Sequence, residues 1–183
     1  MRCFLAIDLP SAMREKLTAI QAELGKSATI KFVEKENLHI TLFFFGEVGD
    51  KKLKEIKEIA STWINTFPRF WVRLRGIGVF PDLSYVRVVW VGAEAPELKE
   101  LHQTLAQRFQ QLGLHEDKPF VPHLTLGRVK RVIDRENLKM VLNKFRTFEF
   151  GEFEVNEIKL KKSTLTPHGP IYEDIFKFQL QPV

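Results

Sequence analysis

One cysteine in 183 residues, Cys3, leaves no partner for an internal disulfide and too few thiolates for a cysteine zinc cage. No apolar run approaches the roughly 20 residues that cross a bilayer. The longest stretch, ITLFFFG at 40–46, is far shorter, and the run before Asp8 is too short for the core of a signal peptide. The sequence has no glycine-rich phosphate loop, no HExxH, no CxxC and no low-complexity linker. These absences argue against a secreted disulfide scaffold, a membrane-spanning chain and an ATP-dependent ligase. Acidic residues are also in deficit: 28 Lys and Arg against 23 Asp and Glu leave a net charge of +5, which suits an anionic partner without naming it. With 44% hydrophobic and 28% charged residues, the expectation is one folded cytoplasmic unit over residues 1–183, monomeric and away from membranes.

Amphipathic helices alternate with strand-like segments. A strand is predicted over 2–8, then a helix opening at Pro10–Ser11 that buries Met13, Leu17, Ile20 and Leu24 before Gly25. A strand over 38–45 precedes a helix N-capped by Asp50, with Leu53, Ile56, Ala60, Trp63 and Ile64 on its buried stripe. Strands at 70–79 and 85–91 flank the turn-like PDLS. A third helix near Pro96 carries Leu98, Leu101, Leu105, Phe109 and Leu112. A strand at 123–129 and a helix capped by Asp134 follow, and 147–180 reads as two or three strands. Helices interleaved with hairpin-like strands predict an α+β fold with antiparallel sheets.

Two strands share His-x-Thr-Leu: LHITLFFFG carries His39 and Thr41, and PHLTLGR carries His123 and Thr125. Side chains alternate faces along a strand, so each imidazole and its hydroxyl point one way while Ile40 and Leu42, or Leu124 and Leu126, point the other. One such strand is most often the solvated face of a sheet; two matched copies argue for a shared cleft. Imidazoles titrate near neutrality and serve as acid and base. Hydroxyls donate to phosphate oxygens. Zinc is a weaker option, because no carboxylate stands at ligand spacing beside either histidine.

The paired motifs, the opening RCFLAIDLP, the stretch FVPHLTLGR and the C-terminal STLTPHGPIYEDI resemble the two-histidine (2H) phosphoesterase superfamily, and within it the RNA 2',3'-cyclic phosphodiesterases often labelled 2'-5' RNA ligases. The resemblance implies a bilobal, pseudo-twofold fold of two antiparallel sheets flanked by helices, with the active site between them. It implies metal-free hydrolysis of a 2',3'-cyclic phosphate at an RNA end, tRNA fragments included, to a 2'-phosphate, without a cofactor. It suggests His39 as proton donor and His123 as proton acceptor; the residues alone leave that order open. Other activities of the superfamily stay in play, namely 2'-5' ligation or cleavage and opening of ADP-ribose cyclic phosphate. So does a non-catalytic module that binds RNA ends, although both motifs are intact.

Arg128, five residues after His123, is marked by the resemblance as a phosphate contact. Strict alternation would turn it toward the core, unless Gly127 makes a bulge. By the same alternation Phe43 and Phe45 share the face of His39 and are candidates to stack on a base, although aromatic residues on strands more often belong to a core. Tyr172, beyond the turn TPHGP, is a further candidate contact, and His168 reads as a residue of that turn, a loop with the option of bordering the cleft. His102 and His115 read as a helix-boundary and a loop residue, and Cys3 as a small core hydrophobe. Residues 128–146 hold seven Lys and Arg against Asp134 and Glu136, a surplus of five that equals the net charge of the chain. This is either a solvated helix face or a track for an RNA backbone.

Overall fold

Met13, Leu17, Ile20 and Leu24 are buried along one side of α1 (Ser11–Leu24), as their spacing requires, and Gly25 caps its end. The computed structural model describes residues 1–182. Around α1 the chain forms β1 (Arg2–Asp8), β2 (Ala28–Phe32), β3 (His39–Glu47), α2 (Asp50–Asn65), β4 (Phe70–Asp82) and β5 (Tyr85–Glu94). It continues through α3 (Pro96–Gln110), β6 (His123–Val132), α4 (Arg135–Lys144), β7 (Glu149–Val155), β8 (Glu157–Thr166) and β9 (Gly169–Gln179). Two local readings are revised. Asp50 is the first helical residue rather than the cap of α2, where its carboxylate still opposes the positive helix end; Gly49 is the cap. β2, which was not foreseen, pairs with β6. Asp134 does cap α4, accepting a bond from the Asn137 amide at 3.1 Å.

The strands run β7-β4-β5-β6-β3-β1-β8-β9, with β2 beside β6, and the ladders between them are antiparallel. The two expected sheets are therefore halves of one path, joined at its middle by the pair Ile40–Leu124. These are the x residues of the two His-x-Thr motifs, so the pseudo-twofold axis runs between them. Both are fully buried. Helices α2 and α3 pack on each other and against β9 and β3, while α1 packs on β2, β6, β7 and α4. Each half thus has its own helical cover on the face opposite the histidines. The core is correspondingly apolar, with Leu5, Ile7, Leu42 and Phe109 in one half and Leu17, Leu24, Val72 and Leu126 in the other, all essentially without exposure.

Candidate active site

The antiparallel register about Ile40–Leu124 sets His39 across from Thr125 and Thr41 across from His123. Since the central pair points into the core, these four side chains share the opposite face. The two histidines are diagonal neighbours there, and diagonal neighbours across an antiparallel pair lie roughly 7–8 Å apart. That separation leaves room for one phosphate between two imidazoles.

Each ring is oriented by its own backbone. The His39 Nδ1 lies 2.7 Å from the Asn37 carbonyl, and the His123 Nδ1 lies 2.6 Å from the Val121 carbonyl. A carbonyl only accepts, so Nδ1 carries the hydrogen in both rings and Nε2 is left for chemistry. Both carbonyls sit two residues before their histidine, a repeat of detail that only a shared local backbone explains. The halves then differ. His39 Nε2 is 3.0 Å from the Thr41 hydroxyl, and no matching bond joins His123 to Thr125 among the described residues. Aromatic rings box both imidazoles: Phe4 and Tyr172 stand 5.2 and 5.4 Å from His39, and Phe80 and Trp90 stand 5.2 and 5.9 Å from His123. Burial pulls the His39 pKa below its ordinary 6.5, partly opposed by the bond to Asn37.

A β-bulge follows each motif. In the β1–β3 ladder Thr41 pairs with Ala6 and Phe43 with Leu5, so Leu42 is passed over; in the β5–β6 ladder Thr125 pairs with Trp90 and Gly127 with Val89, passing over Leu126. The extra residue reverses the alternation beyond it. Arg128 therefore returns to the site face, as the glycine hinted. For the same reason Phe43 and Phe45 do not reach the cleft. Phe43 is 1% exposed, and both pack on Phe109, at 5.0 and 4.9 Å. Phe44 takes their place, lining the cleft under the Arg2 guanidinium at 4.8 Å. It stands five residues after His39, as Arg128 stands five after His123. The twofold positions thus hold a flat ring on one side and a guanidinium fork on the other.

Gly127 is glycine because β2 crosses close to it. A Cβ there would meet Ile30 Cγ2 at 2.6 Å, the Lys31 carbonyl oxygen at 2.9 Å and Phe32 Cα at 3.1 Å. Two of these are backbone atoms that cannot swing aside. Gly127→Ala is expected to cost about 1–3 kcal/mol of stability through overpacking. A melting temperature equal to that of the wild type would contradict this account of the β2–β6 approach.

The cleft has a volume of about 420 Å³ and is lined by His39, Thr41, His123, Thr125, Arg128 and Tyr172 together with residues the sequence did not single out. Among the latter are Arg2, Lys31, Phe44 and Ser163, and His168 of the β8–β9 turn also lies in the wall. Three cations, Arg2, Lys31 and Arg128, face one carboxylate, Glu34, so the lining favours an anion. Behind His39 lies a square of charges. Lys159 reaches Asp8 at 2.7 Å and Asp174 at 3.1 Å, and the buried Lys161 reaches the same two at 2.9 and 3.2 Å. Burial would raise the Asp8 carboxyl, but bonds from both lysines hold it below its usual 3.8. Asp8 pairs with His39 across the β1–β3 ladder, so this square anchors the strand on which the imidazole stands. Among the described residues, no three His, Cys, Asp or Glu side chains cluster as metal ligands.

Paired imidazole–hydroxyl strands on a twofold axis, in a cationic cleft of a bilobal α+β fold, define a two-histidine phosphoesterase. The chain belongs to the 2'-5' RNA ligase superfamily, whose family model matches residues 9–165. The RNA 2',3'-cyclic phosphodiesterase of Methanothermobacter thermautotrophicus is 42% identical over 182 residues, covering 98% of this chain and 99% of its own. That of Methanocaldococcus jannaschii is 45% identical over 175 residues, covering 96% and 98%. Among solved structures, the protein TT0787 of Thermus thermophilus superposes with a TM-score of 0.86 at 32% identity, over 98% of both chains. Escherichia coli LigT complexed with 3'-AMP superposes with a TM-score of 0.76 at 27% identity, over 98% of this chain and 97% of that one. No helix among the described residues is long and apolar enough to cross a membrane.

Proposed function

We propose that this protein hydrolyses the 2',3'-cyclic phosphate at an RNA end to a 2'-phosphate, with His39 and His123 as the acid–base pair. The observation that carries the reading is the Ile40–Leu124 pair, which puts two imidazoles with oriented Nε2 atoms on either side of one phosphate-sized gap. The names of the relatives, RNA 2',3'-cyclic phosphodiesterases, support the substrate class. In the reaction, His123 Nε2 takes a proton from water as the water oxygen attacks phosphorus. The bond from phosphorus to O3' breaks in line, and His39 Nε2 gives its proton to that oxygen. The products are a 2'-phosphomonoester and a 3'-hydroxyl. The two imidazoles have exchanged protonation states, and solvent resets them. Thr41 and Thr125 donate to the non-bridging oxygens, and Arg128 neutralises charge gathering there. Tyr172 holds the edge of the His39 ring, and Phe44 offers a face for a base.

The test is incubation of the protein with an RNA ending in 2',3'-cyclic phosphate, with and without EDTA. Opening of the ring at an EDTA-independent rate is expected. Binding of the RNA without ring opening would reduce the site to an end-binding module, and loss of turnover with EDTA would revive a metal.

The half-buried His39 imidazole sets the pH dependence. A coupled pair titrates with two macroscopic values, and the lower lies at or below that of its weaker base. Because burial lowers the His39 pKa, the acid limb of the kcat/KM profile falls below pH 6.5. A bound phosphodiester anion favours the imidazolium, so the acid limb of kcat lies at higher pH than that of kcat/KM. Profiles of both constants check this; an acid limb of kcat/KM above 6.5 would contradict it.

A further inference from the structure

A second hollow, of about 490 Å³, lies between the tip of the β4–β5 hairpin, the far half of β6 and the side of α4 that carries Arg135, Leu138, Lys139 and Leu142. It shares Arg128 with the catalytic cleft, so the two hollows meet at that residue. Its wall carries six cations, Arg87, Arg128, Lys130, Arg131, Arg135 and Lys139, and no carboxylate. None of the six forms an ion pair among the described residues. Unpaired surface arginines and lysines facing one hollow repel each other, a cost that a polyanion removes. The floor is apolar, with Val129 and Leu138 among its residues. At the mouth Tyr85 is 59% exposed, and Arg87 Nη1 donates to its hydroxyl at 2.9 Å, with the guanidinium carbon 5.5 Å from the ring centroid. A held, exposed aromatic ring among unpaired cations is the arrangement by which proteins track a single strand: charge follows the backbone, and the ring stacks on a base.

We infer that this second hollow binds the nucleotides on the 5' side of the cyclic end, so that the substrate is a single-stranded RNA tail rather than a lone cyclic nucleotide. The inference rests on the function proposed above, because only that reading places the terminal phosphate at Arg128, where the two hollows meet. It also gives the surplus charge of residues 128–146 a structural location: four of its seven cations beyond Arg128, on β6 and α4, line the second hollow. An acidic peptide would fit the charge but would not account for the meeting with a phosphodiester site at Arg128.

The test compares two substrates, a 2',3'-cyclic mononucleotide and an octanucleotide with the same cyclic end, on Tyr85→Ala and on the double variant Arg135→Glu/Lys139→Glu. None of these residues lies in the catalytic cleft. On the octanucleotide kcat/KM is expected to fall about tenfold in Tyr85→Ala, the loss of one base–aromatic stack. Tyr85→Phe should retain most of the activity. The double variant should also weaken the salt dependence of binding, lowering its logarithmic slope by roughly one to two. Turnover of the mononucleotide should stay unchanged throughout. Equal losses on both substrates, or none on either, would overturn the inference. If the wild type opens neither substrate, the proposed function fails, and fluorescence anisotropy with a labelled octanucleotide then decides the role of the second hollow separately. Weaker binding by both variants supports it, and equal affinity for all three proteins overturns it.

Discussion

Replacing His39 or His123 with alanine is expected to lower kcat by about 100- to 10,000-fold each while leaving the melting temperature little changed, since general acid–base groups contribute on that scale. Neither ring is part of the apolar core. What each variant loses is an Nε2 on the site face and one bond to a backbone carbonyl, Asn37 or Val121, and for His39 also the contact with the Thr41 hydroxyl. The double variant should be far less impaired than the product of the two effects, because acid and base serve one step. Retention of more than about a tenth of the wild-type rate by either single variant would be incompatible with this chemistry. The twofold symmetry leaves the roles to be separated, and leaving-group chemistry separates them. A phosphodiester that expels p-nitrophenolate needs no proton at the leaving oxygen. His39→Ala should therefore recover much of its rate on such a substrate, and His123→Ala should not. Recovery by His123→Ala instead would reverse the assignment.

Arg128→Ala is expected to lower kcat/KM by about 10- to 150-fold, from loss of a charge-assisted hydrogen bond of roughly 1.5–3 kcal/mol. Its side chain is exposed on the site face, so the melting temperature should hold. Arg128→Lys keeps the charge but loses the planar fork, and should fall between the two. If Arg128 stabilises charge that grows only in the transition state, kcat falls with kcat/KM; a change confined to KM would mean that it binds the ground state equally well. An unaffected kcat/KM would remove Arg128 from the phosphate site.

The sequence held more of this site than of the sheet that supports it. Hydrophobic spacing marked the four helices, and the matched His-x-Thr-Leu strands marked the face that lines the cleft, because both signals are local. The bulges were half legible. Gly127 advertised one, and the bulge there does return Arg128 to the cleft face. Leu42–Phe43 has no glycine, so simple alternation put Phe43 and Phe45 in the cleft where Phe44 belongs. Aligning the two motifs with each other, rather than each with an ideal strand, makes Phe44 the counterpart of Arg128. β2 was missed because it is five residues long and its partner β6 lies about a hundred residues away. The charge square of Asp8, Lys159, Lys161 and Asp174 was out of reach for the same reason: its members come from the chain's two ends and meet only when β1, β8 and β9 pair.

The most direct measurement is ³¹P NMR of the product formed from an RNA ending in 2',3'-cyclic phosphate. With His123 activating water and His39 protonating O3', the cyclic resonance should be replaced by that of a 2'-phosphomonoester alone. A 3'-phosphomonoester would contradict the direction of ring opening, and an unchanged cyclic signal would contradict catalysis by the histidine pair.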